Sequence, residues 1–235
     1  MRLDKYLSDS GRFTRSEAGR AIRGGRVAVN GAAARDPSMK IDEKTARVTV
    51  DGNPLGYVKY RYIMLNKPSD YVSTTEDDPK SVLRLLPPEC RKIGMFPCGR
   101  LDIDTLGLLL ITNDGDTAHN LLSPKKHCEK TYRFECDPPL DDKMKAGLEG
   151  GLELSDFTSK PCKVELTSST SGEITVTEGK YHQIKRMFHA VGSEITYLER
   201  VTFAGLGLDV SLSRGEWREL TDDEVKTILE YNKTR

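Results

Sequence analysis

Between Gly99 and Gly115 the chain gathers one arginine and three carboxylates, Arg100, Asp102, Asp104 and Asp114, around a short apolar segment. Leu108 to Ile111 is a continuous apolar run bounded by Gly107 and by Asn113-Asp114-Gly115, the pattern of a strand buried on both faces. Polar residues just before such a strand are pinned to the rim of a core. A carboxylate held there beside a guanidinium, partly out of water, stays ionised, as a nucleophile or base must. A plainer reading is open at this point: Asp102 and Asp104 shape a turn, and Asn113-Asp114-Gly115 forms a hairpin tip.

The chain that must position this cluster has 235 residues, enough for one large domain or a medium domain with a small appendage. It is 37% hydrophobic and 31% charged, a soluble and folded composition. Lys plus Arg balances Asp plus Glu at 36 each, but the charge is unevenly spread. Residues 1–35 hold eight basic residues against three acidic ones, so a basic module precedes a mildly acidic body, as expected of a phosphate-binding arm. The five cysteines are odd in number and never lie two apart, which argues against a zinc site or disulfide framework and for reduced thiols in a cytoplasmic setting. No signal-like start and no apolar run of roughly 18 residues suggests a membrane.

In the basic module Leu3, Tyr6 and Leu7 recur at helical spacing. Thr14-Arg15-Ser16-Glu17 is a capping box that opens a second helix, with Ala18, Ala21 and Ile22 inward and Gly24-Gly25 at its end. Arg15, Arg20 and Arg23 fall away from the apolar stripe. Val27-Ala28-Val29 is a strand, Asn30-Gly31 a two-residue hairpin turn, and Val48 and Val50 alternate in another strand. Arginines that merely keep a small domain soluble would look the same. The order Arg-Leu-Asp-Lys-x-Leu, Ser-Glu-Ala, Gly-x-Val-x-Val-Asn-Gly resembles the α-L RNA-binding module first described in a ribosomal small-subunit protein. The resemblance implies phosphate contacts from one face, assigned to Arg2, Lys5, Arg15, Arg20, Arg23 and Arg26, that position RNA without reading bases. The module is expected to occupy 1–56, with the turn-rich stretch Asp51–Tyr60 as its border, and a second domain 57–235.

In that second domain Tyr60 to Leu65 is an expected strand entering Asn66-Lys67-Pro68, and Glu129 to Cys136 alternates so that Tyr132, Phe134 and Cys136 share a face. Glu173 to Thr177 is a further strand after a turn at 169–172. Ile184, Phe188 and Val191 define an amphipathic helix closed by Gly192, with Lys185 and His189 on another face, available to a cleft. Ile195–Leu198 and Val201–Phe203 continue as strand, and Thr221-Asp222-Asp223-Glu224 caps a closing helix. Many strands with few intervening helices predict an α+β fold: a small helical and β-hairpin module, then a domain with a largely antiparallel mixed sheet and flanking helices.

Gly-Arg-Leu-Asp, two residues, Thr, one residue, Gly, an apolar run and Thr-Asn-Asp-Gly resembles the signature of pseudouridine synthases of the RsuA type, every fixed position being present in 99–115. The resemblance makes Asp102 the catalytic carboxylate and leaves Asp104 and Asp114 as turn residues. Lys130-Thr131-Tyr132 is similar to the family's second motif, whose Tyr packs on the target uracil and serves in proton removal. His182 to Gly192 is similar to the third, in which Lys185 stands where relatives carry an Arg beside the carboxylate, with Arg186 as its rival. Asp70 departs from the glycine of the family's Lys-Pro-x-Gly-Tyr pattern, a position where Asp tolerates a left-handed backbone. Arg100, Thr105, His182, Gln183 and Arg186 are assigned to substrate binding.

The implied reaction moves a uridine's glycosidic bond from ring nitrogen to ring carbon. Product and substrate contain the same atoms, so no cofactor and no metal is expected. The nucleotide must leave its stack to be reached. The likeness is strongest to the member acting on small-subunit rRNA, which implies 16S rRNA or an assembly intermediate as partner, the uridine usually called 516 as target, and a cytoplasmic monomer. A large-subunit rRNA target, a non-catalytic ribosome-associated RNA-binding protein, and a hydrolase using a metal between Asp102 and Asp104 are the alternatives. The last is poor, because two carboxylates with no flanking His make a weak metal site.

Overall fold

The computed structural model describes residues 1–231, which pack as two compact units. The first comprises Met1–Arg61 with Leu86–Phe96. Its helices α1 (Leu3–Asp9) and α2 (Arg15–Arg23) lie with a four-stranded antiparallel sheet, in order β2-β1-β3-β4, of β1 (Val27–Val29), β2 (Ala32–Ala34), β3 (Val48–Val50) and β4 (Asn53–Pro54). The capping box forms as expected: the Thr14 side chain accepts from the Glu17 amide, and Glu17 accepts from the Thr14 amide at 2.7 Å. Asn30 and Gly31 both take positive φ, 51° and 84°, which the two-residue hairpin requires. Leu3, Leu7, Ala18, Ile22, Val27 and Val48 form the core. The unit runs past the expected border at 56: Tyr57 stacks on Tyr6 with ring centroids 4.9 Å apart. Helix α3 (Pro88–Lys92) belongs to it as well, Glu89 and Ile93 closing against Gly11.

The second unit holds β5 (Tyr62–Lys67), β7 (Leu106–Thr112), α4 (Gly115–Leu122), β8 (Lys130–Asp137), α5 (Asp142–Gly150), β9 (Lys163–Ser168), β10 (Ser171–Val176), α6 (Gln183–Ala190), β11 (Glu194–Phe203), β12 (Leu206–Gly207), β13 (Trp217–Glu219) and α7 (Asp222–Tyr231). The two-residue strand β6 (Phe96–Pro97) is where the chain passes from one unit to the other. The main sheet runs β13-β5-β7-β11-β8-β10-β9, antiparallel except for the β7–β11 pair. Every residue of β5, and all of β7 after Leu106, is buried, so these strands are apolar runs rather than alternations. Along β8 burial alternates as expected, and Phe134 meets Phe188 of α6 edge-on at 4.8 Å.

Two local features fix where the 99–115 cluster sits. Gly107 has φ +95°, and a Cβ there would lie 2.3 Å from the Arg200 carbonyl oxygen, so only glycine lets β7 start this close to β11. Asn113-Asp114-Gly115 is not a hairpin tip. Asp114 caps α4, its carboxylate accepting from the Thr117 amide at 3.2 Å, the Thr117 hydroxyl at 2.6 Å and the Tyr62 hydroxyl at 2.6 Å. Turn and N-cap use the same Asp chemistry. The apolar spacing of Ala118, Leu121 and Leu122 selects the helix. Among the described residues no helix is long and apolar enough to cross a membrane.

Candidate active site

Residues 101–105 form a loop on the approach to β7, fastened from two directions. Ser73 clamps Leu101 reciprocally, donating from its hydroxyl to the Leu101 carbonyl at 3.1 Å and accepting from the Leu101 amide at 3.1 Å. Lys67, at the end of β5 and fully buried, donates to the carbonyls of Pro68 (3.0 Å), Ile103 (3.1 Å) and Thr105 (3.0 Å). Burial pushes the Lys67 ammonium down to about 8, against the pull of nearby Asp104, Asp102 and Asp70. The Asp70 amide adds a bond to the Ile103 carbonyl at 3.0 Å, and Asp70 takes φ +66°, the left-handed conformation expected of it from the sequence. The loop's backbone is therefore set before any substrate arrives.

Above this loop a cleft is lined by Arg100, Asp102, Thr105, Tyr132, His182 and Lys185, with Val176, Ile184 and Leu198 as apolar wall. Asp102 is partly screened, 29% exposed at the side chain, with Lys185 Nζ 3.7 Å from Oδ2 and His182 Nε2 3.7 Å from Oδ1. Tyr132 is buried on β8, in register with Arg200 of β11 and Ile174 of β10. The Thr105 hydroxyl is buried without a hydrogen-bond partner among the described residues.

Lys185 binds Asp104 more closely than Asp102, at 2.5 and 2.7 Å to its two oxygens. Burial would raise the Asp104 carboxyl, but the Lys185 ammonium outweighs it and holds that group below the usual carboxylate range. Asp104 is thus more than a turn residue: it anchors the cation that faces Asp102. Sequence patterning missed this because a carboxylate in a turn looks the same with or without a partner 81 positions away. Lys67 was missed for a related reason, since a strand-terminal lysine ordinarily reaches solvent.

Arg186 is not the partner of Asp102. Its guanidinium is engaged by Asp156 and Ser155 and lies over the Phe157 ring at 4.9 Å. Arg100 lines the cleft but forms no ion pair with Asp102. Gln183 also lines it, with its amide already committed: Oε1 accepts from the Lys180 amide at 3.0 Å, and Nε2 donates to buried Glu178 at 2.8 Å. It braces the turn that presents His182. His189 shares the outer flank of α6 and pairs with Glu194.

In the first unit Lys5, Arg15, Arg20 and Arg23 are exposed. Arg2 and Arg26 are exposed too, but carry carboxylate partners, Asp4 and Asp51. Together the arrangement offers one carboxylate in a cleft, a neighbouring ammonium, a buried phenol and a basic module elsewhere in the chain.

Comparison with known proteins bears on what such a site does. The model of the family described as RNA pseudouridylate synthase matches residues 61–190, and that of the S4 domain matches residues 1–47. A protein of Bacillus subtilis, named as an uncharacterized RNA pseudouridine synthase, is 43% identical over 236 residues, spanning 98% of this chain and 99% of its own. Ribosomal small subunit pseudouridine synthase A of Escherichia coli strain K12 is 42% identical over 234 residues, spanning 97% of this chain and 100% of its own. A solved structure described as a pseudouridylate synthase superposes with a TM-score of 0.68 at 35% identity, covering 97% of this chain and 99% of the other.

Proposed function

This chain belongs to the RNA pseudouridylate synthase family, and on that premise we propose that it isomerises one uridine of small-subunit ribosomal RNA, position 516 in the usual numbering, with Asp102 as its catalytic carboxylate. The observation that carries the reading is the shared cleft: Asp102, the Lys185 ammonium 3.7 Å away and Tyr132 line one cavity. The name of the Escherichia coli relative, at 42% identity over nearly the whole chain, supports the choice of ribosomal subunit.

The chemistry breaks the C1′–N1 bond of uridine and forms C1′–C5. The proton on C5 is lost to solvent and N1 gains one, so atoms and charge balance with no external reagent. Asp102 stands at the sugar, as nucleophile at C1′ or as base toward C2′. Both courses use the carboxylate in its anionic form, with the Lys185 ammonium 3.7 Å from Oδ2. Tyr132 packs on the displaced uracil, replacing part of the stacking lost when the nucleotide leaves the helix. Thr105, whose hydroxyl has no hydrogen-bond partner among the described residues, is placed to bond the sugar or base. Lys5, Arg15, Arg20 and Arg23, with Arg2 and Arg26, hold RNA phosphates from the amino-terminal unit.

The purified protein incubated separately with unmodified small- and large-subunit rRNA transcripts, followed by carbodiimide treatment and primer extension, tests the substrate. A single new stop in the small-subunit transcript at 516 is expected. A stop confined to the large-subunit transcript would overturn the assignment.

A further inference from the structure

We infer that the outer face of the Tyr181 ring is a stacking platform for a nucleobase flanking the isomerised uridine. The inference rests on the placement of the chemistry at Asp102. Tyr181 is 73% exposed, a large aromatic between Lys180 and His182, both of which line the cleft. Its inner face lies on the His182 imidazole, with centroids 3.8 Å apart and planes 19° from parallel. The same imidazole reaches to 3.7 Å from Asp102 through Nε2. Tyr181 and His182 thus make a two-ring column running from the reactive carboxylate to open solvent.

Several features hold this column in place although it buries little. His182 adopts a left-handed backbone, φ 49°, which is uncommon outside glycine and recurs where a site fixes a side chain. Gln183 ties the Lys180 amide and Arg186 donates to the Tyr181 carbonyl at 3.4 Å, so the turn is braced on both sides of the tyrosine. Lys180 and Arg186 flank it over the Phe157 ring, cations within reach of a backbone running past the column. The ring spacing of 3.8 Å is close to the roughly 3.4 Å rise between stacked bases of one strand. When the target nucleotide swings into the cleft, its neighbour loses a stacking partner, and an open aromatic face next to the cleft supplies another.

The test uses Tyr181→Ala and Tyr181→Phe in the full chain. Release of tritium from [5-³H]uridine-labelled RNA is followed in single turnover over a range of RNA concentrations. Pooled small- and large-subunit transcripts make the result independent of which subunit carries the target. Stacking is sequence-tolerant and lost with the ring, so the alanine variant is expected to need about 5- to 100-fold more RNA for half-saturation. Its rate at saturation should stay within about threefold, and the phenylalanine variant should match wild type within about twofold. The side chain is exposed, so both variants should melt with wild type. An alanine variant that half-saturates like wild type would overturn the inference, as would a phenylalanine variant as impaired as alanine. Full tritium release from Asp102→Asn would instead remove the reactive centre from the foot of the column, and this assignment with it.

Discussion

Replacing Lys67 by methionine should cost activity far more than stability. Methionine fills much of the same volume but removes three donors. The Ile103 carbonyl keeps the Asp70 amide, whereas the Pro68 and Thr105 carbonyls lose the partner Lys67 gives them. An unpaired buried carbonyl costs about 1–3 kcal/mol, so two cost about 2–6 kcal/mol. Removing the buried ammonium offsets part of this. The fall of its pKa from 10.5 to about 8 corresponds to about 3 kcal/mol of unfavourable burial at neutral pH. The net loss of stability is therefore at most about 3 kcal/mol. Activity depends instead on where residues 102–105 sit, and a displacement of about 1 Å costs on the order of 10²-fold in rate. Thermal melting paired with single-turnover tritium release separates the two effects. The pH dependence adds a signed check. Because the folded pKa lies below the unfolded one, the unfolded chain holds the extra proton between about pH 8 and 10.5. Wild-type stability relative to Lys67→Met should therefore be flat below pH 8 and rise through that interval. A variant that turns over within threefold of wild type, or a relative stability that falls with pH, would refute the reasoning.

Two further outcomes follow from the geometry. Lys185→Gln should lower the single-turnover rate about 10²- to 10³-fold, since it removes the cation facing Asp102, while Arg186→Gln should lower it less than about tenfold. Equal losses would mean that Arg186 leaves Asp156 when substrate binds. Gly107→Ala should destabilise the protein by about 2–5 kcal/mol, combining a positive φ with a Cβ 2.3 Å from the Arg200 carbonyl oxygen. A melting temperature within 2 °C of wild type would show that β7 and β11 separate at little cost.

The parts of the fold that were legible in the sequence are those in which local chemistry has one outcome. Thr14 and Glu17 can satisfy each other only as a helix cap, Asn30-Gly31 admits a tight hairpin, and the alternation through Tyr132, Phe134 and Cys136 admits one buried face. Where two structures share one local chemistry, the sequence did not choose. Asp114 serves a turn or a cap equally well, and the choice lies in the apolar spacing of the residues after it, with the Tyr62 hydroxyl fastening the cap. Asp102 was legible as a candidate through its motif, but the cation facing it was left between two neighbours. One helical position turns a side chain by about 100°, and that turn sends Lys185 toward the cleft and Arg186 toward Asp156. Lys67 and Asp104 act across long sequence separations, through partners that no local pattern discloses.

The central claim concerns one carboxylate, and the most direct measurement is tritium release by Asp102→Asn. Asparagine keeps the shape of the side chain and removes its charge, so binding of RNA should stay within about twofold while release falls to background. An Asp102→Asn enzyme that releases tritium at the wild-type rate would contradict the account.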